Sequence, residues 1–411
     1  MELAKLLGPR RTIRIAIAGT GVMGEAICRR ISRTPNMEVV ALITQSPDRA
    51  QEVVNRIDRY FGQEVPYYQD ASAPEIIRYT EKDISFLCPE KVDVFIDATG
   101  NVARGFHMAS LALKRGVRTL SFSAECDALT GPTLATKRTS YGFADGDQPG
   151  SLMRVHDECK AMGLEVVGLM NCKGFLNRYA VPEDMRRFQD NACGSSLGMI
   201  TSFTDGTKMA LEMNTVANAT GFGPLRSGMV GFHNTSVRGC GDDLSQILPA
   251  LLKGFSPPGF VDYTLGGDFG AGVFAVVKDK DPYESRFLDY FKMGKGPFRA
   301  VHRPYHLCQF EVSRSVAEIY LYDQVPCVPL GTFAKTSAVA KRDLMVGDRL
   351  EGIGGSDLYG ILENTKDSKE LVHISLCRGA TVLKDYKKDE KIKRADLGLS
   401  RDMSELESLL L

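Results

Sequence analysis

The stretch Ile13-Arg14-Ile15-Ala16-Ile17-Ala18-Gly19-Thr20-Gly21-Val22-Met23-Gly24 decides the fold of the N-terminal part of the chain. Its first six residues form an apolar run rich in β-branched side chains, which is typical of a buried parallel strand. Glycines follow with the spacing G-x-G-x-x-G, and a helix-like stretch then runs through Arg33 to a stop at Thr34-Pro35-Asn36. This order of strand, glycine turn and helix predicts the first unit of a parallel α/β sheet.

The same alternation continues downstream. Residues 39–43, 92–97 and 117–122 are predicted as further strands, and residues 103–115 have helical spacing. Strands that alternate with helices imply right-handed crossovers and a parallel sheet. We therefore predict a doubly wound Rossmann α/β domain over residues 1–170, with residues 163–169 as its fifth strand.

Two further domains are predicted after residue 170. Helical stretches at 184–194 and 205–220 and mixed strands at 260–277 indicate an α+β catalytic domain over residues 171–325. Val325-Pro326-Cys327-Val328-Pro329-Leu330 is typical of an edge strand or linker, because proline cannot donate to a sheet ladder. Short strands, many glycines and a charged tail predict a small β-rich module over residues 326–411.

Composition narrows the choice of partners and compartment. The chain has 411 residues with 51 Lys+Arg and 51 Asp+Glu, so its charge gives no reason to expect a nucleic acid or membrane partner. Its ten cysteines form no C-x-x-C pair, which favours a reducing compartment. No apolar run is long enough to cross a bilayer, and residues 1–7 are too charged for a signal peptide. A cytoplasmic homo-oligomer acting on a small-molecule substrate is the expectation.

The glycine turn carries the chemistry of dinucleotide binding. Gly19 permits the tight turn, Gly21 lets the backbone approach a pyrophosphate, and Gly24 lets helix and strand pack closely. Val22 and Met23 belong to the same turn and are predicted to contact the cofactor. The N-terminus of the following helix would favour the phosphate charge. The alternative is a glycine-rich turn without a ligand.

The residues after the second strand bear on the choice of cofactor. The chain reads Ile43-Thr44-Gln45-Ser46-Pro47-Asp48-Arg49, with no acid directly after the strand to bind ribose hydroxyls. Thr44, Ser46 and Arg49 are therefore predicted to hold a 2′-phosphate, which favours NADP. NAD is the alternative if Asp48 turns back. On the nicotinamide side, we predict contacts from the end of a later strand, Ala98-Thr99-Gly100-Asn101, and from Glu125.

Two stretches suggest acid–base catalysis. Ser202-Phe203-Thr204-Asp205-Gly206-Thr207-Lys208 precedes Glu212, and if Asp205 begins a helix, Lys208 and Glu212 share its face. An acid and a lysine on one face can polarise a carbonyl and relay a proton. The alternative is a capped surface helix with an ordinary ion pair. Lys173, after a predicted strand in Asn171-Cys172-Lys173-Gly174, is a candidate catalytic or anion-binding lysine.

Substrate contacts are predicted from three other places. Asp145 and Asp147 could hold a substrate ammonium group or a cation, although a capped turn would use the same residues. Asn218 follows the acid–lysine stretch, and Lys295 lies in a basic glycine-rich loop that could hold a substrate anion. No metal site is predicted, since Pro304 argues against a helix that would align His302 with His306.

Several stretches together resemble one group of enzymes. They are the glycine turn, Ala144 to Gly150, Ser202 to Lys208 with Ala217 to Gly221, Gly296-Pro297, Arg303 to Leu307, and Ala340-Lys341-Arg342-Asp343-Leu344. They resemble the homoserine dehydrogenase-like oxidoreductases that carry a C-terminal SAF domain. This group includes an NADPH-dependent enzyme similar to deoxyxylulose-phosphate reductoisomerase.

The resemblance implies roles for the acid and the lysine. Homoserine dehydrogenases use an acid and a lysine on one helix, so Asp205 and Lys208 would take those roles, with Glu212 beside them. In those enzymes a lysine ends a turn after a late Rossmann strand, whereas this chain has Glu125 there, in Ser121-Phe122-Ser123-Ala124-Glu125. That departure speaks against homoserine as the substrate.

The leading hypothesis is therefore an NADP-dependent dehydrogenase or reductase that acts on a small polar carbonyl or alcohol. Two alternatives stay open at this point. One is a reductoisomerase-like enzyme assisted by a metal at Asp145, Asp147 or Glu125. The other is a sensor that binds a dinucleotide without turnover, although such a sensor has no need of an acid–lysine cluster.

Overall fold

A computed structural model describes residues 12–61, 75–79, 83–136, 140–233, 237–266 and 272–410. Residues 1–7, considered above as a signal peptide, lie outside these ranges. The chain forms two compact units, one from residues 1–147 with 307–328 and the other from residues 148–306 with 329–411. The domain boundaries predicted at 170 and 325 stay predictions beside this division.

The first unit is built on a six-stranded sheet. Its strands are β1 (Ile13–Ala18), β2 (Met37–Thr44), β3 (Glu75–Arg78), β4 (Val94–Asp97), β5 (Arg118–Ser121) and β6 (Tyr141–Phe143). Its helices are α1 (Val22–Ile31), α2 (Pro47–Phe61), α3 (Val102–Lys114), α4 (Ala124–Ala135), a 3-10 turn at Asp83–Phe86, and a helix at Cys308–Tyr322.

The strand order of this sheet is β3-β2-β1-β4-β5-β6, and all of its pairs are parallel. This is the doubly wound Rossmann order, in which successive strands are added to one side of β1 and then, from β4 onwards, to its other side. The predicted Rossmann fold is thus confirmed. Fully buried β-branched residues of β1, such as Ile15 and Ile17, lie in the hydrophobic core of the unit.

The late segment 307–328 completes this unit. The helix Cys308–Tyr322 packs on α1, with Val312, Val316 and Ile319 buried in the same core as Ile27 and Ile31. Farther on, Cys327 forms an antiparallel bridge with Phe143 at the edge of the sheet. This agrees with the edge-strand character predicted from the prolines at 326 and 329.

The second unit contains a mixed sheet and a C-terminal set of short strands. Its helices are α5 (Gln148–Ala161), α6 (Pro182–Met185), α7 (Leu197–Thr204), α8 (Thr207–Thr220), α9 (Val237–Leu251), α10 (Pro282–Tyr290) and α11 (Arg401–Leu410). Its 3-10 helices are Arg186–Asn191, Thr365–Asp367, Ile374–Leu376 and Arg394–Asp396. Its strands are β7 (Glu165–Lys173), β8 (Gly223–Pro224), β9 (Phe232–His233), β10 (Phe260–Leu265), β11 (Val273–Lys278), β12 (Phe298–Arg303), β13 (Ala334–Ala340), β14 (Leu358–Asn364), β15 (Thr381–Val382) and β16 (Leu397–Gly398).

Strand β7 corrects one prediction about the first sheet. The run at 163–169 does form a strand, but it is not the fifth strand of the Rossmann sheet. It pairs in parallel with β10 and antiparallel with β11, in the order β12-β11-β7-β10-β8. An apolar run predicts a buried strand but not its partners, and here the partners come from residues 260–278.

The predicted helix at 205–220 is interrupted at its start. Helix α7 ends at Thr204, and Gly206 has φ +84°, a left-handed conformation that breaks the helix before α8 begins at Thr207. Asp205 therefore lies at the corner between two helices. The stretch predicted at 184–194 is the short helix α6 followed by a 3-10 helix.

The C-terminal residues consist of short strands, as predicted. β13 pairs antiparallel with β14, and β15 pairs antiparallel with β16. Single bridges join Ser337 to His373 and Val339 to Lys391. The assignment of this segment as a SAF domain stays a prediction. Within the described part of the chain, no helix combines the length and the apolar character needed to span a bilayer.

Candidate functional site

The glycine turn has the geometry that a dinucleotide needs. Gly19 has φ +103°, and a Cβ there would lie 2.5 Å from the carbonyl oxygen of Ala98. A Cβ on Gly24 would lie 2.1 Å from the carbonyl oxygen of Gly19. These two glycines are required by close backbone packing, as predicted.

Gly21 is different, because a Cβ on it would meet no atom within 4 Å. It is the N-cap of α1 and has no side-chain cap hydrogen bond. Open space therefore lies directly in front of a helix N-terminus, where backbone N–H groups favour an anion. The turn fits a pyrophosphate, and Val22, which is 39% exposed, and the partly buried Met23 lie in the first turn of α1.

The predicted 2′-phosphate residues lie together at the end of β2. The hydroxyls of Thr20 and Thr44 are 3.2 Å apart, which joins the glycine turn to β2. The backbone N–H of Ser46 donates to the Thr44 hydroxyl at 3.1 Å. Asp48 and Arg49 fall in the first turn of α2 and are both exposed. The fold thus leaves NADP and NAD both open.

The loop after β4 is held from within by Asp97. Its carboxylate accepts hydrogen bonds from the backbone N–H and the hydroxyl of Thr99, at 3.1 and 2.7 Å. Burial raises the pKa of Asp97 to about 6, and the nearby charge of Glu125 adds to the rise. Asn101 caps α3 by accepting from the backbone N–H of Arg104. Sequence reasoning did not identify Asp97, although it ends the strand that carries the loop.

Glu125 belongs to a buried acidic surrounding. It is 5% exposed, lies in the first turn of α4, and accepts a hydrogen bond from the Ser123 hydroxyl at 3.1 Å. Asp127, on the same turn, accepts from the Tyr141 hydroxyl at 2.7 Å. Whether Glu125 contacts a cofactor stays a prediction.

The stretch Asp145-Gly146-Asp147 forms a tight buried turn in the first unit. Asp145 is 1% exposed and accepts from the backbone N–H of Gly146 at 2.9 Å. Gly146 has φ +103°, and a Cβ there would lie 2.0 Å from the carbonyl oxygen of Cys308. Asp145 thus closes the turn, which matches the capped-turn alternative. A substrate role for Asp145 and Asp147 stays a prediction.

In the second unit, the structure brings Lys173, Lys208 and Glu212 together. Lys173 ends β7, whereas Lys208 and Glu212 are one turn apart on α8 and are 7% and 5% exposed. The Lys173 ammonium donates to the carbonyl oxygen of Phe203 at 2.7 Å. Asn171, also on β7, donates to the Glu212 carboxylate at 3.2 Å. The acid–lysine group therefore lies at the carboxyl end of β7, where α/β sheets commonly bind ligands.

Burial shifts the titration of Lys173. It lowers the pKa of the Lys173 ammonium, Glu212 and Asp205 act to raise it, and Lys208 lowers it further. A lysine whose pKa is lowered can give and accept a proton closer to neutral pH. This supports Lys173 as a candidate equal to Lys208.

Asp205 has a partner that the sequence did not indicate. One of its oxygens lies 2.7 Å from the ammonium of Lys341. Its other oxygen accepts from the backbone N–H of Thr207 at 2.8 Å. Lys341 lies in the family-like stretch Ala340 to Leu344, where its residue type alone indicates no buried role, because a charged residue is normally expected at the surface.

Asn218 and Lys295 are not gathered with this group. The Asn218 side chain is fully buried and accepts from the backbone N–H groups of Phe333 and Ala334 at 2.9 and 3.3 Å. Lys295 lies just before β12, which begins at Phe298. Phe298 pairs with Lys278 of β11, and Lys278 pairs in turn with Glu165 at the start of β7. The start and end of β7 are roughly 25 Å apart at the usual strand rise. The register instead brings Arg303 to the edge that holds Lys173.

Comparisons with known proteins agree with an oxidoreductase. Residues 146–312, which are less than half of the chain, match the protein-family model described as oxidoreductase DRL, catalytic domain. A search of curated proteins found no match.

Solved structures with a similar fold are remote in sequence. A DOX-P reductoisomerase in complex with NADPH, fosmidomycin and magnesium is 17% identical, with 50% of this chain and 57% of that chain covered and a TM-score of 0.35. Dipicolinate-bound dihydrodipicolinate reductase from Paenisporosarcina sp. TG-14 is 13% identical, with 78% and 97% covered and a TM-score of 0.34. Apo scyllo-inositol dehydrogenase from Lactobacillus casei is 12% identical, with 77% and 90% covered and a TM-score of 0.41. The chain thus spans less than two thirds of the reductoisomerase.

The class follows from the family model and the fold. An oxidoreductase catalytic domain is matched over 146–312, and the same chain carries a Rossmann sheet with an open glycine turn. Residues 146–312 are therefore similar to the catalytic domain of an oxidoreductase, and the Rossmann sheet of the same chain is a fold that binds dinucleotides.

Proposed function

We propose that the chain is an NADP-dependent dehydrogenase or reductase acting on a small polar carbonyl or alcohol. The observation that carries this proposal is the acid–lysine group at the carboxyl end of β7, in which Lys208 and Glu212 are buried and Lys173 is half-buried. Lys173 and Lys208 lie there with Glu212, and the charges of Lys208 and Glu212 both act on the Lys173 ammonium. Such a group can handle the proton of a carbonyl or hydroxyl oxygen.

The first unit would hold the cofactor. The open space at Gly21 would take the pyrophosphate, and Thr44, Ser46 and Arg49 would surround the 2′-phosphate. The loop 98–101, fixed by Asp97, would lie on the nicotinamide side. When bound, NADP accepts a hydride from the substrate or delivers one to it.

The second unit would handle the proton. Lys208 would donate to the substrate oxygen or polarise it, and Lys173 would release a proton more readily than an ordinary lysine because burial lowers its pKa. Glu212, fixed by Asn171, would keep positive charge on the lysine pair. Arg303, which aligns through Val273 with Asn171, would neutralise an anionic substrate group.

The test is NADPH oxidation or NADP reduction with a panel of sugar phosphates, polyols and amino-acid semialdehydes. On the substrate found, Lys208→Met should lower kcat by roughly two to four orders of magnitude while NADPH affinity stays near that of the parent. Lys278→Met is the matched control, because Lys278 is exposed at the other end of the sheet, and it should keep parental turnover.

Three results would contradict the proposal. Near-parental turnover of Lys208→Met would make that lysine part of an ordinary helix ion pair. Loss of activity on treatment with a chelator would favour the metal-assisted reductoisomerase reading. Tight NADPH binding with no turnover across the panel would favour the sensor.

A further inference from the structure

Lys341 is a buried cation outside the predicted catalytic set. It directly follows β13, and its side chain is 2% exposed. Its ammonium lies 2.7 Å from an oxygen of Asp205 and donates to the carbonyl oxygens of Ala180 and Gly355 at 2.8 and 2.7 Å. The ammonium thus makes two hydrogen bonds to backbone carbonyls and one ion pair, all within the protein. Lys341 is therefore placed to hold other groups and not to donate to a substrate.

Asp205 transmits this contact to helix α8. The carboxylate is fully buried, and its two oxygens join Lys341 to the backbone N–H of Thr207, the first residue of α8. Lys208 follows directly. The ion pair thus fixes the corner from which the lysine projects.

The pair also sets the charge around Lys173. Five ionisable groups meet here, namely Lys173 on β7, Asp205 at the helix corner, Lys208 and Glu212 on α8, and Lys341 after β13. Burial raises the pKa of Asp205, whereas Lys341 acts to lower it. A buried carboxylate left without its cation is costly and takes up a proton.

We infer that Lys341 is a positioning residue of the candidate active site, which holds Asp205 charged and in place beside Lys173 and Lys208. This inference rests on the function proposed above, because only that function makes the two lysines catalytic. It gives the C-terminal β-rich segment a part in the chemistry. Without Lys341, the Asp205 carboxylate would take up a proton more readily, and its negative charge would favour the protonated form of Lys173 less.

The experiment measures the charge of Lys173 directly in the full-length chain. Competitive amine labelling across pH, with the Lys173 peptide quantified by mass spectrometry, gives the titration of this amine without any substrate. Lys341→Met should move that titration to lower pH by about one unit. Lys341→Arg keeps the cation and should restore most of the parental curve.

Lys335→Met is the matched control. Lys335 lies on β13 and, like Lys341, donates to two carbonyl oxygens, those of Ser368 and Leu371 at 2.9 and 3.1 Å. No salt bridge joins it to Asp205 in the described part of the chain, since the Asp205 partner is Lys341. Its variant should leave the Lys173 titration at the parental position.

Two results would overturn the inference. One is a Lys173 titration that is unchanged, or moved to higher pH, in Lys341→Met. The other is an equal shift in Lys341→Met and Lys335→Met, which would reflect general loosening. Because labelling needs no turnover, these results are separate from failure of the proposed function, which would appear as parental kcat in both Lys173→Met and Lys208→Met.

Discussion

The buried pair of Lys341 and Asp205 makes a quantitative prediction about stability. Its two side chains are 2% and 0% exposed and are 2.7 Å apart, so solvent screens them little. Removing one partner of such a pair typically costs about 3–5 kcal/mol, because the remaining charge stays buried without compensation. We expect this loss for Lys341→Met. Lys335→Met, which loses two carbonyl contacts but no ion pair, should cost about 1–3 kcal/mol.

The size of the loss should depend on pH in a defined direction. In Lys341→Met the folded-state pKa of Asp205 rises further above its unfolded value of 3.8, since the cation that lowered it is gone. The folded variant then binds a proton more readily than the unfolded chain, so its unfolding free energy rises as the pH falls. The difference in unfolding free energy between Lys341→Met and the parent should therefore become smaller from pH 7.5 to pH 5. The corresponding difference for Lys335→Met should stay constant.

A double-mutant cycle isolates the pair from its surroundings. Asp205→Asn with Lys341→Met removes both charges, and the coupling energy should be about 1–3 kcal/mol. The assay is hydrogen–deuterium exchange of the peptide that covers α8, together with calorimetry of the full chain, because exchange reports local opening without requiring two-state unfolding. The reasoning would be refuted if the stability losses of Asp205→Asn and Lys341→Met simply added in the double variant. It would also be refuted if the unfolding free energies of Lys341→Met and Lys335→Met changed with pH in parallel.

Three further predictions concern the first unit. Gly21→Val should abolish NADPH binding and keep the melting temperature, because the added side chain enters open space. Gly24→Val should unfold the unit, because a Cβ there would lie 2.1 Å from a backbone oxygen. Calorimetry and NADPH titration measure both effects. Arg49→Ala should weaken NADPH binding more than NADH binding, and equal loss for both would remove Arg49 as the 2′-phosphate contact. Asp97→Asn should stabilise the chain at pH 7.5 by up to about 3 kcal/mol. The parental Asp97 has a pKa of about 6, above its ordinary 3.8, so the parent loses stability as the pH rises between these values. Chemical unfolding at pH 5 and 7.5 should show that the unfolding free energy of the variant changes less with pH.

The Rossmann sheet could be predicted from the sequence because its signals are local. The strands β1, β2 and β4 are short and mostly apolar, and Gly19 and Gly24 each avoid a clash with nearby backbone. The strand at 163–169 was assigned to the wrong sheet for the opposite reason. Its partners β10 and β11 lie about a hundred residues later, and an apolar run carries no information about which strand will pair with it.

The candidate catalytic group could be predicted only in part. Lys173, Lys208 and Glu212 were found from residue type and spacing, and the fold brings them together. Lys295 was grouped with them on charge alone, and only the register of β7, β11 and β12 reveals that it lies at the far end of the sheet. Charge patterning on a sequence does not specify sheet register, so such a residue cannot be excluded before the fold is known.

The buried polar residues of helix α8 explain why Lys341, which the sequence did not assign to the site, comes from the C-terminal segment. Every residue from Thr207 to Ala219 is buried, yet the helix carries Asn214 and Asn218 as well as its charged residues. A buried polar group is costly unless it is hydrogen-bonded. Asn214 bonds to Ala334 and Thr336, Asn218 bonds to the backbone of 333–334, and the Thr207 hydroxyl accepts from the backbone of Gly360. Residues 333–360 therefore satisfy much of the polar face of α8, and Lys341, which contacts Asp205, belongs to the same segment. The position of the candidate catalytic lysine thus depends on a segment that the sequence presents as a separate module.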